Sequence, residues 1–219
     1  MTIFNIKIVS DTVCPWCYIG KKRLDKAIEL YNKSYPGAKD DSFRITWAPF
    51  YLDPTLPNVG VPVNERYVQK FGPERMQAIK QRLTTIGGEL GIDFRFAGKM
   101  GNTRDSHRLI QLGKTKGEDV QNRIVMELFK EYFEGTGDIT SHDMMIAAAE
   151  RAGLDKNEAK DWLETGKGGK EVDAEVEEAY AKDIHGVPHF TIQGKIEFGG
   201  AYDSEAFLDA FAQVKLKGL

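Results

Sequence analysis

Cysteine is scarce in this sequence. There are only two in 219 residues, Cys14 and Cys17, so no network of disulfides staples the chain and no set of four thiolates can cage zinc. Histidine is scarce too. Of His107, His142, His185 and His189, only the last two have zinc-finger spacing, and Gly186-Val187-Pro188 between them reads as a turn. No metal site is therefore expected. Long apolar runs are missing, and nothing approaches the ~20 residues that a membrane span needs, so no membrane partner is expected either. An excess of positive charge is also missing. The 30 Lys and Arg stand against 33 Asp and Glu, a net charge of -3, without the basic stripe of a nucleic-acid binder. The opening Met1-Thr2-Ile3-Phe4-Asn5 has no basic stretch leading into an apolar one, and Lys7 and Asp11 interrupt the residues after it. A cytoplasmic location is the expectation. There is no internal repeat and no low-complexity tract.

The composition fits a folded globular chain, 41% hydrophobic and 29% charged, long enough for one large domain or two small ones. The two cysteines stand in Ser10-Asp11-Thr12-Val13-Cys14-Pro15-Trp16-Cys17-Tyr18, at the seam between two predicted elements. Ile3 to Val9 is rich in β-branched residues and reads as a strand. Leu24, Ala27, Ile28 and Tyr31 recur at helical spacing. The first N–H groups of a helix lack intrahelical partners and carry the positive end of its dipole. A thiolate there is stabilised, and its pKa falls from about 8.5 into a range of roughly 3.5–7.5. Cys14 would stand at that entrance, with Pro15 at the first helical position, where a missing N–H costs nothing. Cys17 lies one turn on, on the same side. The spacing makes Cys14 the nucleophile and Cys17 the resolving thiol that attacks a mixed disulfide on Cys14.

Further along, the first helix should run from about Cys14 past Tyr31 and end before Pro36-Gly37. Phe43 to Phe50 reads as a second strand that Pro49 ends. Leu52 to Pro62, with Pro54, Pro57, Gly60 and Pro62, reads as a loop or linker. From Asn64 to Gly166 no strand pair is evident. Tyr67, Phe71, Met76, Ile79 and Leu83 lie on helical segments around Gly72-Pro73. Asn102 or Thr103, Ser141 and Asp155 are candidate caps of later helices. Glu171 to Asp183 reads as a returning helix, Gly186 to Gly200 as a hairpin turning at Gln193-Gly194-Lys195, and Asp203 as the cap of a final helix. The order is strand, helix, strand, helical block, helix, strand, strand, helix. With the block removed it matches a thioredoxin fold. The fold class is therefore α/β, thioredoxin-like with an inserted all-helical subdomain. The expected boundaries are 1–62 and 167–219 for the two parts of the thioredoxin-like domain and 63–166 for the insert.

Three stretches carry a resemblance to a known family: Ser10 through Lys21; Asn102-Thr103 through His107 with Leu128 to Phe133; and Gly186-Val187-Pro188-His189-Phe190 with Gly199-Gly200-Ala201. In these the chain resembles the thioredoxin-like DsbA family, and within it the FrnE-like oxidoreductases. The resemblance implies thiol–disulfide exchange on protein or small-molecule disulfides, with disulfide- or thiol-containing proteins or peptides as partners, no tightly bound cofactor, and glutathione as a candidate redox partner. It also implies a cis peptide bond before Pro188, and a Val187 backbone that meets an extended substrate. Pro15, Trp16, Val187 and Pro188 are accordingly candidate substrate-binding residues. Trp16 either contacts substrate or covers the helix end. Asp11 is read as an exposed turn residue in preference to a buried proton acceptor near Cys17. His107 and Asn102 are read as structural, and His189 either approaches the dithiol or faces away. The fold is also similar to that of glutathione-dependent 2-hydroxychromene-2-carboxylate isomerases and kappa-class glutathione transferases, which typically carry serine in the place of Cys14 and need no resolving cysteine. A non-catalytic chaperone-like binding module is a further alternative.

Overall fold

In a computed structural model that describes residues 1–218, the chain forms a four-stranded sheet with helices on both faces and a helical block beside it. The first strand, β1 (Ile3–Ser10), runs parallel to β2 (Ser42–Pro49) on one side. On its other side it is antiparallel to β5 (His189–Ile192), which in turn pairs with β6 (Ile196–Gly199). The order across the sheet is β2-β1-β5-β6. Alternation decides which side chains enter the core. Phe4, Ile6 and Ile8 of β1 and Phe190 and Ile192 of β5 are buried on one face. That face meets α1 (Pro15–Ser34) through Leu24, Ala27 and Tyr31, and α9 (Ser204–Lys217) through Phe207, Phe211 and Val214. Aromatic rings lock the layer: Phe4 lies 5.3 Å from Tyr31 and 5.2 Å from Phe211, and Phe190 lies 5.0 Å from Phe207. On the opposite face, Val9, Ala48 and Phe50 pack on Ala179 of α8 (Gly169–Ala181) and on Ile184. The end of β1 is thus buried from both sides, and it is this end that delivers the cysteine loop.

The block between β2 and α8 holds α2 (Val63–Phe71), α3 (Pro73–Glu89), α4 (Arg104–Lys116), α5 (Glu118–Phe129), α6 (His142–Arg151) and α7 (Lys156–Glu164). A π-helical turn, Lys130–Glu134, extends α5. Two anchors hold the block to the sheet. Phe129 stacks on Tyr18 of α1 at 5.2 Å and meets Trp47 of β2 edge-on at 6.0 Å. Gln121 of α5, buried, accepts from the Trp47 N–H and donates to its carbonyl, both at 3.0 Å. The open edge of β2 therefore finds a side-chain amide where another strand would lie.

Ser141 caps α6 by accepting from the Met144 N–H, and Asp155 caps α7 by accepting from the Glu158 N–H. Asn102, beside the α4 start, accepts from the Arg104 N–H. Three expectations need correction. Asp203 occupies the cap position of α9, but its carboxylate makes no cap bond; it pairs with Arg23 at 3.0 Å. The linker and the block share a small antiparallel pair, β3 (Val61–Pro62) with β4 (Lys99–Met100), too short for alternation to reveal it. Asp11, expected to be exposed, is buried, because Leu52 and α4 close over it. Among the described residues, no helix is long and apolar enough to cross a membrane and no cluster of His, Cys, Asp and Glu suits a metal ion.

Candidate active site

The site is assembled by four segments: the end of β1, the start of α1, the loop before β5, and the start of α4. Cys14 is the N-cap residue of α1, extended at φ -90° and ψ 111°, and Pro15 opens the helix. The Cys14 N–H donates back to the Asp11 carbonyl at 3.1 Å, and the Cys17 N–H donates to the Cys14 carbonyl at 3.1 Å. These two turns carry the chain from Asp11 into the start of α1. Both cysteines are free thiols. Cys14 is 2% exposed and Cys17 0%. Burial, reinforced by the neighbouring Cys14 sulfur, pushes the Cys17 thiol well above its ordinary value, against the pull of the Ser10 hydroxyl and the Asp11 N–H.

The loop before β5 supplies the third wall. The Val187–Pro188 peptide bond is cis, and the Val187 carbonyl accepts from the Cys14 thiol at 3.5 Å. The Pro188 ring lies against α1 where the helix has no side chain: a Cβ on Gly20 would stand 3.2 Å from Pro188 Cγ and 3.0 Å from Phe190 Cζ. Gly20 is thus the residue that lets this loop approach the cysteines. Trp16 is half-buried, with the Arg82 guanidinium of α3 5.0 Å above its ring. The structure therefore brings Cys14, Cys17, Val187 and Pro188 together, with Pro15 and Trp16 on their rim.

Beneath the loop lies a polar layer. Thr12 shares a hydrogen bond with Ser106 at 2.8 Å, and Ser106 donates to the Thr103 carbonyl. Asp11, 1% exposed, accepts from the Leu52 N–H at 2.8 Å. The buried His107 ring stands 3.5 Å from the other Asp11 oxygen and 3.2 Å from the Phe50 carbonyl. The Asn102–His107 stretch is therefore the prop on which the cysteine loop rests, which its local sequence does not reveal. His189 faces away: it shares a cavity of about 540 Å³ with Lys7, Thr46, Glu178, Thr191 and Glu197 on the opposite sheet face, and lies 3.7 Å from Glu197.

Tyr67 and Tyr132 are neighbours of the site that helical spacing could not identify as such. Burial raises both phenols, and the charges of Cys14 and Asp11 add to this for Tyr67, those of Tyr67 and Asp11 for Tyr132. Tyr67 also lines a cavity of about 80 Å³ with Val13, Leu52, Leu56, Phe71 and Met100. At its rim Asp53 pairs with Arg66 at 3.1 Å and Lys70 at 3.0 Å.

The model of one family, described as DSBA-like thioredoxin domain, matches residues 5–212. The chain is 28% identical over 222 residues to the uncharacterized protein YwbO of Bacillus subtilis (strain 168), covering 99% of this chain and 100% of that one. A probable DsbA oxidoreductase of Streptomyces coelicolor, SCO1869, superposes with a TM-score of 0.84 at 28% identity, over 96% of this chain and 89% of that one. A 2-hydroxychromene-2-carboxylate isomerase superposes with a TM-score of 0.65 over 97% and 95%, and at 14% identity the likeness is one of fold alone.

Proposed function

The chain belongs to the DSBA-like thioredoxin domain family, and from that premise we propose that it is a thiol–disulfide oxidoreductase that works through Cys14 and Cys17. The observation that carries this reading is the placement of two free thiols one helical turn apart at the entrance of α1, with the Val187 carbonyl 3.5 Å from the Cys14 sulfur. In the reducing direction, the Cys14 thiolate attacks one sulfur of a substrate disulfide. A Cys14–substrate bond forms, and the other substrate sulfur leaves as a thiolate and takes up a proton. Cys17 then loses its proton and attacks Cys14, releasing the second substrate thiol and leaving a Cys14–Cys17 disulfide. The oxidising direction is the reverse. Cys17 suits the second role because its buried thiol holds its proton until the mixed disulfide has formed.

Substrates are proteins or peptides that approach in extended form and pair with the Val187 backbone, with Pro15, Trp16 and Pro188 forming the surrounding contacts. Glutathione, itself a short extended thiol peptide, is a fitting redox partner at the same loop; no tightly bound cofactor is required. A glutathione-dependent isomerase or transferase that works with one residue at the helix entrance has no use for Cys17, so the second cysteine favours dithiol chemistry. Trapping tests the assignment. Cys17→Ser, mixed with glutathione disulfide, is expected to accumulate a stable glutathione adduct on Cys14, read by mass, while Cys14→Ser gives none. An adduct forming equally well on Cys17 in the Cys14→Ser variant would reverse the roles.

A further inference from the structure

Asp11 and His107 meet where the cysteine loop rests on α4, and no step of the dithiol exchange uses them. Asp11 Oδ2 accepts from the Leu52 N–H at 2.8 Å, whereas Oδ1 is buried with no hydrogen-bond partner. The group nearest it from α4 is His107 Nε2, at 3.5 Å, and that nitrogen also lies 3.2 Å from the Phe50 carbonyl. Both neighbours of Nε2 are acceptors, so the ring hydrogen sits on Nε2, bonded to the Phe50 carbonyl, with the bare Asp11 oxygen beside it. The two side chains are 1% and 3% exposed, so water cannot screen either.

The carboxylate is close to the chemistry through the backbone. The Asp11 carbonyl accepts from the Cys14 N–H at 3.1 Å, and the Asp11 backbone pulls down the pKa of Cys17 against the effect of burial. A buried negative charge at this point opposes a second negative charge on Cys14. Three phenols also face Asp11, those of Tyr51, Tyr67 of α2 and Tyr132 of the π-helical turn, besides the Cys17 thiol. Among the described residues, His107 is the one basic side chain within 4.0 Å of the bare oxygen.

We propose that His107 is a positioning residue for the dithiol, which offsets the buried Asp11 charge and thereby sets how readily Cys14 ionises. The inference rests on the dithiol reading. It gives the helical block a part in tuning the redox centre, since α4 carries the histidine and the loop after β1 carries the carboxylate.

The test is a double-mutant cycle on the reduced full-length protein, following the thiolate absorbance of Cys14 against pH and the disulfide equilibrium with glutathione. His107→Leu removes the N–H and is expected to raise the pH at which Cys14 ionises. It should also favour the Cys14–Cys17 disulfide by about tenfold, which is ~30 mV for this two-electron couple. Asp11→Asn should move both readings the opposite way. In the Asp11→Asn background, His107→Leu should have no further effect, because the charge it offsets is gone. His107→Gln keeps an N–H and should restore the parent values, which a loss of packing alone would not explain. Unchanged titration in His107→Leu, or a shift of the same size in the Asp11→Asn background, overturns the proposal. If the parent protein forms no Cys14–Cys17 disulfide, the dithiol reading fails, and the Cys14 titration still decides on the pair.

Discussion

Gly20→Ala sets two effects of opposite sign against each other in the middle of α1. Replacing glycine inside a helix by alanine stabilises by about 1 kcal/mol when nothing opposes it. Here the new methyl would lie 3.0 Å from Phe190 Cζ and 3.2 Å from Pro188 Cγ, inside normal contact distance. Phe190 is fully buried against Phe207, and the Pro188 ring can yield only by the small shift of its Cγ that a change of pucker allows. Further relief comes from the loop that carries Val187. Overpacking of this kind costs about 1–3 kcal/mol, so the net expectation is a loss of about 1 kcal/mol, near 2–4 °C in Tm for a chain of this size. The functional loss should exceed the stability loss, because the part that yields is the wall of the cysteine site. Urea unfolding gives the first quantity, and the rate of disulfide exchange with a model peptide, measured well below the unfolding midpoint, gives the second. A Gly20→Ala protein that gains the full helix-propensity increment and exchanges at the parent rate would refute the close-approach reasoning.

Other expectations rest on single contacts. Gln121→Leu leaves the buried N–H and carbonyl of Trp47 without partners at the β2 edge; at about 1–3 kcal/mol for each orphaned group, a loss of about 2–6 kcal/mol is expected by chemical denaturation, and a loss under about 1 kcal/mol would mean water or a neighbouring strand takes the place of the amide. Asp41 joins the chain start to α1 and α9, accepting from the Thr2 N–H, the Tyr31 hydroxyl and Lys215, each at 2.7 Å. Burial alone would raise its pKa, but Lys215, Tyr31 and Thr2 outweigh that and hold it at about 2, down from 3.8. A carboxyl whose folded pKa is depressed stabilises the fold above its unfolded value and loses that contribution as pH falls. Stability should therefore drop between about pH 4 and pH 2, less steeply in Asp41→Asn than in the parent; identical slopes in acid denaturation would remove Asp41 from the account of acid stability.

Local chemistry makes part of the molecule legible in the sequence. The Cys14–Cys17 spacing, the Pro15 helix start, the hairpin at Gln193-Gly194-Lys195 and the Ser141 and Asp155 caps all depend on near neighbours, and each can be read from them. The thioredoxin-like order comes from the same signals. The features that escape depend on residues far apart in the chain. Asp11 resembles a turn residue because nothing beside it announces that Leu52 and His107 will close over it. Gly20 resembles an ordinary helix glycine until Pro188 and Phe190 come to rest on it. Gln121 gives no sign that its amide will stand in for a strand beside Trp47. His189 comes directly after Pro188, yet strand alternation turns it to the far face of the sheet.

The measurement that bears most directly on the dithiol assignment is the equilibrium of the intact protein with a glutathione redox buffer, with each state counted by alkylation and mass. Dithiol exchange predicts a single two-electron transition, in which Cys14 and Cys17 are alkylated together in the reduced form and both protected in the oxidised form, with no glutathione retained at the end points. The midpoint of that transition fixes the direction: a potential near the roughly -270 mV of thioredoxin marks a reductase, and one well above it an oxidant or isomerase. A protein that stops at a stable glutathione adduct on Cys14, with Cys17 still free to alkylate, would contradict the dithiol mechanism.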